Sequence, residues 1–411
     1  MPRWSVRLAL ASALFAVPGM SSPVAASAPD RAPATAVATR LAAKCGSRPA
    51  PAAPVAEVPW PQQRYAFEHL TPLATGAGMT VAVIDSGVDP DHPQLRGRVA
   101  GGRDFLDGGD GTLDCAGHGT AVASVIAATA SAGISFRGLA PQARILPVRV
   151  SEQQVVGESR SGRTVTATEF ARAIRWAVDQ GADVLNLSVV LYEDNPAVRS
   201  AVAYALERDR VVVAAVGNLH ENGDPTPYPA AYEGVLGVGA IGPDGTRSQF
   251  SQTGPYVDVL APGVDVLVAV PGNGHQRQDG TSYATPFVAA TAALVREYQP
   301  ELSAAEVVRR IIATTDPAIG GAGNAYGSGV VNPYRAITDT AAVTDDGEAP
   351  VALPVLRADA AELAKQTRRD RTRQMSWWVA SVGAVVAGLV MLVAAVLPRG
   401  ARRRWRPAGP E

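Results

Sequence analysis

Three short stretches carry an acid, a base and a hydroxyl in the chain order Asp, His, Ser. They are Val81-Ala82-Val83-Ile84-Asp85-Ser86-Gly87, Gly117-His118-Gly119-Thr120 and Gly280-Thr281-Ser282-Tyr283-Ala284-Thr285-Pro286. A serine hydroxyl is a poor nucleophile until a neighbouring base removes its proton. His118 is the expected base, and the glycines on either side leave room for substrate. Asp85, closing an apolar run, is the expected partner that holds the imidazole tautomer and stabilises the imidazolium. Ser282 opens a long apolar segment and is the expected nucleophile, where a helix dipole favours developing negative charge. Asn218 ends the run Val211-Val212-Val213-Ala214-Ala215-Val216-Gly217-Asn218. It is the expected oxyanion donor, with the backbone amide of Ser282 as its companion. Taken singly, each has a plainer reading: a turn aspartate, a loop histidine, a helix N-cap, a capping asparagine. Their coincidence in one chain favours acyl transfer.

Such groups need a rigid frame. Apolar runs short enough for buried strands lie at 80–84, 145–150, 184–187, 211–215 and 235–240. Segments of helical composition at 120–130, 167–180, 197–208 and 284–298 alternate with them. This alternation predicts an α/β fold with a mainly parallel sheet covered on both faces. Chemistry in such sheets sits at the carboxyl ends of strands, where Asp85 and Asn218 fall. A further helix over 303–313 opens with a capping-box pattern, Ser303 and Glu306, and the globular body closes near Ala336.

The 411 residues are 47% hydrophobic and 18% charged, which suits a large core, and the formal net charge is −1. No global basic balance exists to neutralise phosphates, so a nucleic-acid partner is not expected. Arg3 and Arg7, an apolar run over 8–17 and small residues over 24–28 have the layout of a secretory signal, assigned to 1–27. Residues 28–78 read as an N-terminal extension, Ala- and Pro-rich as far as 58, and 79–337 as the catalytic domain. Residues 338–376 form a polar linker. Residues 377–397 are 21 consecutive positions without a charge, long enough to span roughly 30 Å of hydrocarbon as one transmembrane helix. Trp377 and Trp378 stand where an interfacial anchor would.

Lys365, Arg368, Arg369, Arg371 and Arg373 precede that run, and Arg399, Arg402, Arg403, Arg404 and Arg406 follow it. The flanks balance, so charge alone sets no orientation. The secretory signal sets it: the body is exported and the basic tail, 398–411, stays in the cytoplasm. In an exported chain the two cysteines, Cys45 and Cys115, favour a bridge over two free thiols. Closing a loop of that size is worth roughly 4 kcal/mol in the chain-entropy model. Asp89, Asp91, Asp107, Asp110 and Asp114 match no calcium-loop spacing and read as solvated loop carboxylates. No metal or cofactor is expected.

From 81 to 336 the chain resembles the subtilisin-like serine proteases. The likeness covers the three catalytic stretches and also Gly138-Leu139-Ala140-Pro141, Ile145-Leu146-Pro147-Val148-Arg149-Val150, Asp183-Val184-Leu185-Asn186-Leu187-Ser188, Tyr228-Pro229-Ala230-Ala231-Tyr232, Val235-Leu236-Gly237-Val238-Gly239-Ala240 and Asp258-Val259-Leu260-Ala261-Pro262-Gly263. It implies a three-layer fold and an endopeptidase acting through an acyl-enzyme on protein or peptide substrates.

Within that family the chain is similar to the mycosins, membrane-anchored proteases of type VII secretion systems. The similarity rests on Val58-Pro59-Trp60-Pro61-Gln62-Gln63-Arg64, on Tyr283 where most relatives carry Met, on the cysteine pair and on the terminal apolar span. It implies an extension packed around the catalytic body, with Cys45 tethering it beside His118. It also implies a type VII membrane complex as partner, an extracytoplasmic catalytic domain at the cell membrane, and processing of secreted substrates. The alternative is a structural component of that complex with proteolysis secondary. Val189 and Val190 follow Ser188 where many relatives have small residues shaping the specificity pocket. Residues 151–166 and 192–196 read as loops that restrict the cleft.

Overall fold

The computed structural model describes residue 45, residues 49–156 and residues 159–340. The expected signal peptide, transmembrane helix, basic tail and the linker beyond 340 lie outside the described residues. No helix among those described is long and apolar enough to cross a membrane.

In chain order come α1 (Trp60–Arg64), α2 (Phe67–Leu70), β1 (Thr80–Asp85), β2 (Arg103–Asp104), α3 (His118–Ala127) and β3 (Arg144–Arg149). Then follow β4 (Gln154–Val156), β5 (Ser159–Ser161), α4 (Ala167–Asp179), β6 (Val184–Leu187), α5 (Pro196–Glu207) and β7 (Val211–Ala215). The remainder is β8 (Leu236–Ile241), β9 (Val259–Pro262), β10 (Val266–Ala269), β11 (His275–Gln278), α6 (Thr281–Tyr298), α7 (Ala304–Ala313) and α8 (Pro333–Thr338).

Seven strands form one sheet in the order β2-β3-β1-β6-β7-β8-β9, every neighbour parallel. The five apolar runs that predicted β1, β3, β6, β7 and β8 are continuous because both faces are buried. The two edge strands, β2 and β9, were not predicted. Along β1, Val81 and Val83 join one core with Val184, Val211 and Val213. Ala82 and Ile84 join the other with Leu185, Leu187 and Val212, as the two-residue period of a strand requires. The first core is covered by α3 and α6, the second by α4 and α5. The chain is thus a three-layer, subtilisin-like α/β body with its helices on both faces.

Helix α6 runs through the body rather than over it. Every residue from 281 to 295 is buried except Ser282. A helix apolar all round must be interior, and the single break in its burial marks where chemistry can reach it. Capping boxes open α4 (Thr166 with Glu169) and α7 (Ser303 with Glu306), the latter at the position the pattern predicted.

Two regions differ from expectation. The stretch read as a plain loop over 151–166 contains the antiparallel pair β4 and β5, with Ser151 bridged to Thr164. Strands β10 and β11 pair with each other where no strand was expected. Their polar member, His-Gln-Arg-Gln, has no apolar run to betray it.

Cys45 is bonded to Cys115 across a separation of 70 residues, with Cα atoms 5.3 Å apart. The segment that follows Cys45 lies against β11 and the turn before it. Ala52 N–H donates to Asn273 O at 3.0 Å, and His275 N–H donates to Ala53 O at 3.3 Å. Val55 N–H donates to His275 Nδ1 at 3.1 Å, and Glu57 pairs with Arg277. Farther on, Trp60 Nε1–H donates to Val264 O at 3.0 Å.

Candidate active site

Strand β1 ends on Asp85, which is 2% exposed. His118 is the first residue of α3, and its Nδ1 lies 2.8 and 2.9 Å from the two Asp85 carboxylate oxygens. Its Nε2 lies 2.9 Å from Ser282 Oγ. The network assigns Nδ1–H to Asp85 and leaves Nε2 to accept the serine proton. Ser86 N–H donates to Asp85 Oδ1 at 2.7 Å, so the carboxylate is held from two sides. Burial works against a charged imidazole at His118. The Asp85 charge and hydrogen bond, with a smaller contribution from Asp114, outweigh it and raise the His118 pKa above its ordinary value.

The close approach of α3 to β1 depends on Gly119. A Cβ there would overlap the carbonyl oxygen of Gly87 and crowd Asp85. Asp114 sets the start of the same helix. Its carboxylate accepts from Ser86 Oγ–H at 2.8 Å, Gly117 N–H at 2.7 Å, Thr120 N–H at 2.8 Å and Thr120 Oγ1–H at 2.6 Å. Ser86 Oγ in turn accepts from Gly119 N–H at 2.9 Å. Asp114 therefore ties the residue after Asp85 to the turn that carries His118.

This corrects the reading of the acidic residues as solvated. Asp114 is fully buried and Asp89 nearly so. Burial, partly offset by those hydrogen bonds, raises the Asp114 pKa to about 6. Asp91 and Asp110 are at the surface, and Asp107 pairs with Arg149 and Arg163. Among the described residues no group of three or more His, Cys, Asp or Glu is arranged to hold a metal.

Asn218 follows β7 and is oriented by Thr281. Its Oδ1 accepts from Thr281 N–H at 2.9 Å and Thr281 Oγ1–H at 2.8 Å. The amide nitrogen is thereby turned toward the nucleophile. A point one bond from the Gly280 Cα, where a Cβ would stand, is 3.3 Å from Asn218 Nδ2 and 3.2 Å from Ser282 Oγ. The amide of Ser282 stands in the first turn of α6, where N–H groups have no acceptor within the helix. Asn218 Nδ2 and Ser282 Oγ thus both lie within reach of one point beside Gly280.

Pro286 explains a further contact. It lacks the N–H that would donate to the carbonyl four residues earlier, that of Ser282. Ser188 Oγ–H, at the exit of β6, donates to Ser282 O instead at 3.2 Å. Tyr283 packs its ring against the imidazole, with centroids 5.1 Å apart.

All four site residues expected from the sequence come together at the carboxyl ends of the strands. Thr281, Asp114, Ser86 and Ser188 escaped that reading. Thr281 and Ser86 flank singled-out residues and could have been flagged. Asp114 and Ser188 carry no local signal, since their partners meet only through the fold.

A buried aspartate paired with a half-buried histidine that addresses a serine at the start of a core helix defines a serine peptidase of the subtilisin type. The Subtilase family model matches residues 76–329, and the chain belongs to that family. It is 38% identical over 279 residues to the thermophilic serine proteinase of Bacillus sp. (strain AK1), a match covering 68% of this chain and 66% of that protein. Mycosin-4 of Mycobacterium tuberculosis (strain ATCC 25618 / H37Rv) is 36% identical over 325 residues, covering 69% of this chain and 71% of Mycosin-4. Among solved structures it is similar to the serine protease MycP1, described as an essential component of the type VII (ESX-1) secretion system. That likeness has a TM-score of 0.61 at 34% identity, covering 71% of this chain and 91% of MycP1.

Proposed function

We propose that this chain is a membrane-anchored endopeptidase that processes substrates of a type VII secretion system. Ser282 attacks the scissile carbonyl while His118 takes its proton and then passes it to the leaving amine. Asp85 holds the imidazole and stabilises the imidazolium that forms. Asn218 Nδ2 and the Ser282 amide stabilise the tetrahedral oxyanion. Water, deprotonated by His118, then releases the acyl-enzyme. The observation that carries the reading is the imidazole of His118 within hydrogen-bonding distance of both Asp85 and Ser282.

The secretion role is supported by similarity to Mycosin-4 and MycP1. Anchoring rests on the uncharged run 377–397, and exposure of the body outside the cytoplasm on the leader at 1–27. The test is a Ser282→Ala replacement in the native cell, comparing the termini of secreted proteins and labelling by a fluorophosphonate. Loss of labelling together with unprocessed termini is the expected result. Lost labelling with secretion and termini unchanged would favour the structural-component role instead.

A further inference from the structure

The peptide carbonyl of Ser282 and its hydroxyl-bearing side chain hang from one Cα, so the direction of the first sets where the second can reach. Inside a helix that carbonyl would be held by the N–H four residues on. Here that residue is Pro286, which has none. The carbonyl just before it, Thr281 O, is held from within the helix by Thr285 Oγ1–H at 2.8 Å. Ser282 O instead takes a donor from another element. Ser188, the first residue past β6, provides it at 3.2 Å.

A hydroxyl proton can turn to any acceptor around it, so Ser188 needs a reason to face Ser282. Asn186 gives one. Its Nδ2–H donates to Ser188 Oγ at 2.9 Å, which occupies the acceptor side of that oxygen and leaves its proton for Ser282 O. Asn186 is fully buried in β6, between Val83 of β1 and Val213 of β7. By strand alternation it shares the sheet face of Val184, the face covered by α3 and α6. Its Oδ1 is buried without a hydrogen-bond partner. Burying an unpaired amide oxygen costs stability, and a leucine of similar size would avoid that cost. Packing therefore does not account for the amide, whereas its bond to Ser188 does.

We propose that Asn186 and Ser188 are positioning residues for the nucleophile, replacing the helix bond that Pro286 removes and fixing the backbone from which Ser282 Oγ is aimed at His118. This rests on the peptidase reading of Ser282 and adds to it two groups that touch neither substrate nor a reacting atom. Without the relay the Ser282 peptide can rotate, and the 2.9 Å contact from Oγ to His118 Nε2 is no longer held.

The test measures peptide hydrolysis and the rate of fluorophosphonate labelling on the full-length protein, each per mole of folded protein by circular dichroism. Ser188→Ala is expected to lower kcat and the labelling rate about ten-fold with KM within two-fold, because misplacing the nucleophile weakens attack and not binding. Ser188→Thr, which keeps the hydroxyl, should retain the rate. Pro286→Ala returns an N–H to the helix position that faces Ser282 O. Added to Ser188→Ala it should recover most of the lost kcat, whereas added to Asn218→Ala, whose defect is a missing oxyanion donor, it should recover none. Asn186→Leu should match Ser188→Ala, and the two together should lose no more than either alone, since they act through one bond. Wild-type kcat in Ser188→Ala would overturn the inference while labelling of Ser282 still upheld the peptidase. So would a loss that Pro286→Ala leaves uncorrected, or losses that simply add. Failure of the fluorophosphonate to label the wild-type serine would remove the peptidase reading and this inference together. Should Ser188→Ala not fold, Asn186→Leu with and without Pro286→Ala carries the same comparison.

Discussion

Thr281 and Asn218 meet through two hydrogen bonds to one oxygen, the amide at 2.9 Å and the hydroxyl at 2.8 Å. The carboxamide is thus oriented by the residue immediately before the nucleophile. Asn218→Ala should lower kcat by about 10²–10³ with KM little changed, since the lost donor acts on the transition state. Thr281→Val keeps the shape and the amide bond but loses the hydroxyl. A fall in kcat on the order of ten-fold is expected, one neutral hydrogen bond being worth about 1 kcal/mol. Steady-state kinetics on a peptide substrate measures both, and a Thr281→Val enzyme with wild-type kcat would break the link.

The pH dependence follows from His118. In the proposed mechanism its neutral form is the base, and its pKa lies above the ordinary imidazole value of about 6.5. Activity should therefore fall with acidification through a value above that figure. The acid limb of kcat/KM reports it for the free enzyme. An acid limb well below pH 6, or undiminished hydrolysis at pH 4, would count against His118 as base.

Asp114 accepts four hydrogen bonds without touching substrate. Asp114→Ala leaves all four donors buried and unpaired. The expected loss is about 3 kcal/mol or more of stability, read by urea unfolding. At temperatures where the variant remains folded, kcat should also drop, because Ser86 and the start of α3 lose their common anchor. Unchanged stability would show that water replaces the carboxylate at no cost.

The extension is tied to the body through His275, whose pKa is lowered to about 4, first by burial and then by the neighbouring charge of His92. Its Nδ1 must be unprotonated to accept from Val55 N–H. A histidine with a depressed folded pKa contributes stability that is present above its unfolded value and lost as pH falls through the folded one. The window here runs from about 6.5 down to about 4. Hydrogen exchange at residues 52–57, corrected for the intrinsic rate, should accelerate across that window. Protection that stays constant down to pH 4 would refute the role of His275.

The sheet was legible because a parallel strand buried on both faces must be apolar throughout, as Val211 to Ala215 shows. Ser282 and His118 drew notice because glycines stand close to them in the chain, and a Cβ on Gly119 would overlap the backbone of Gly87. The bond between Thr281 and Asn218 was not legible, since the two lie 63 residues apart and meet only through the fold. Asp114 misled for a related reason: a carboxylate among loop residues looks solvated until the donors around it are known. The helices carrying the segments from 120 and 284 begin at 118 and 281, so that His118 and Ser282 stand in their first turns.

The bond between Cys45 and Cys115 encloses the whole of the segment lying on β11. Any peptide cut between these cysteines would leave two polypeptides still joined. Such a nick would be invisible on a gel run without reductant and would appear as a smaller band only after thiol treatment. Removal of the N-terminal piece from the body would then need a reducing step, so proteolysis there could alter the chain without shedding it.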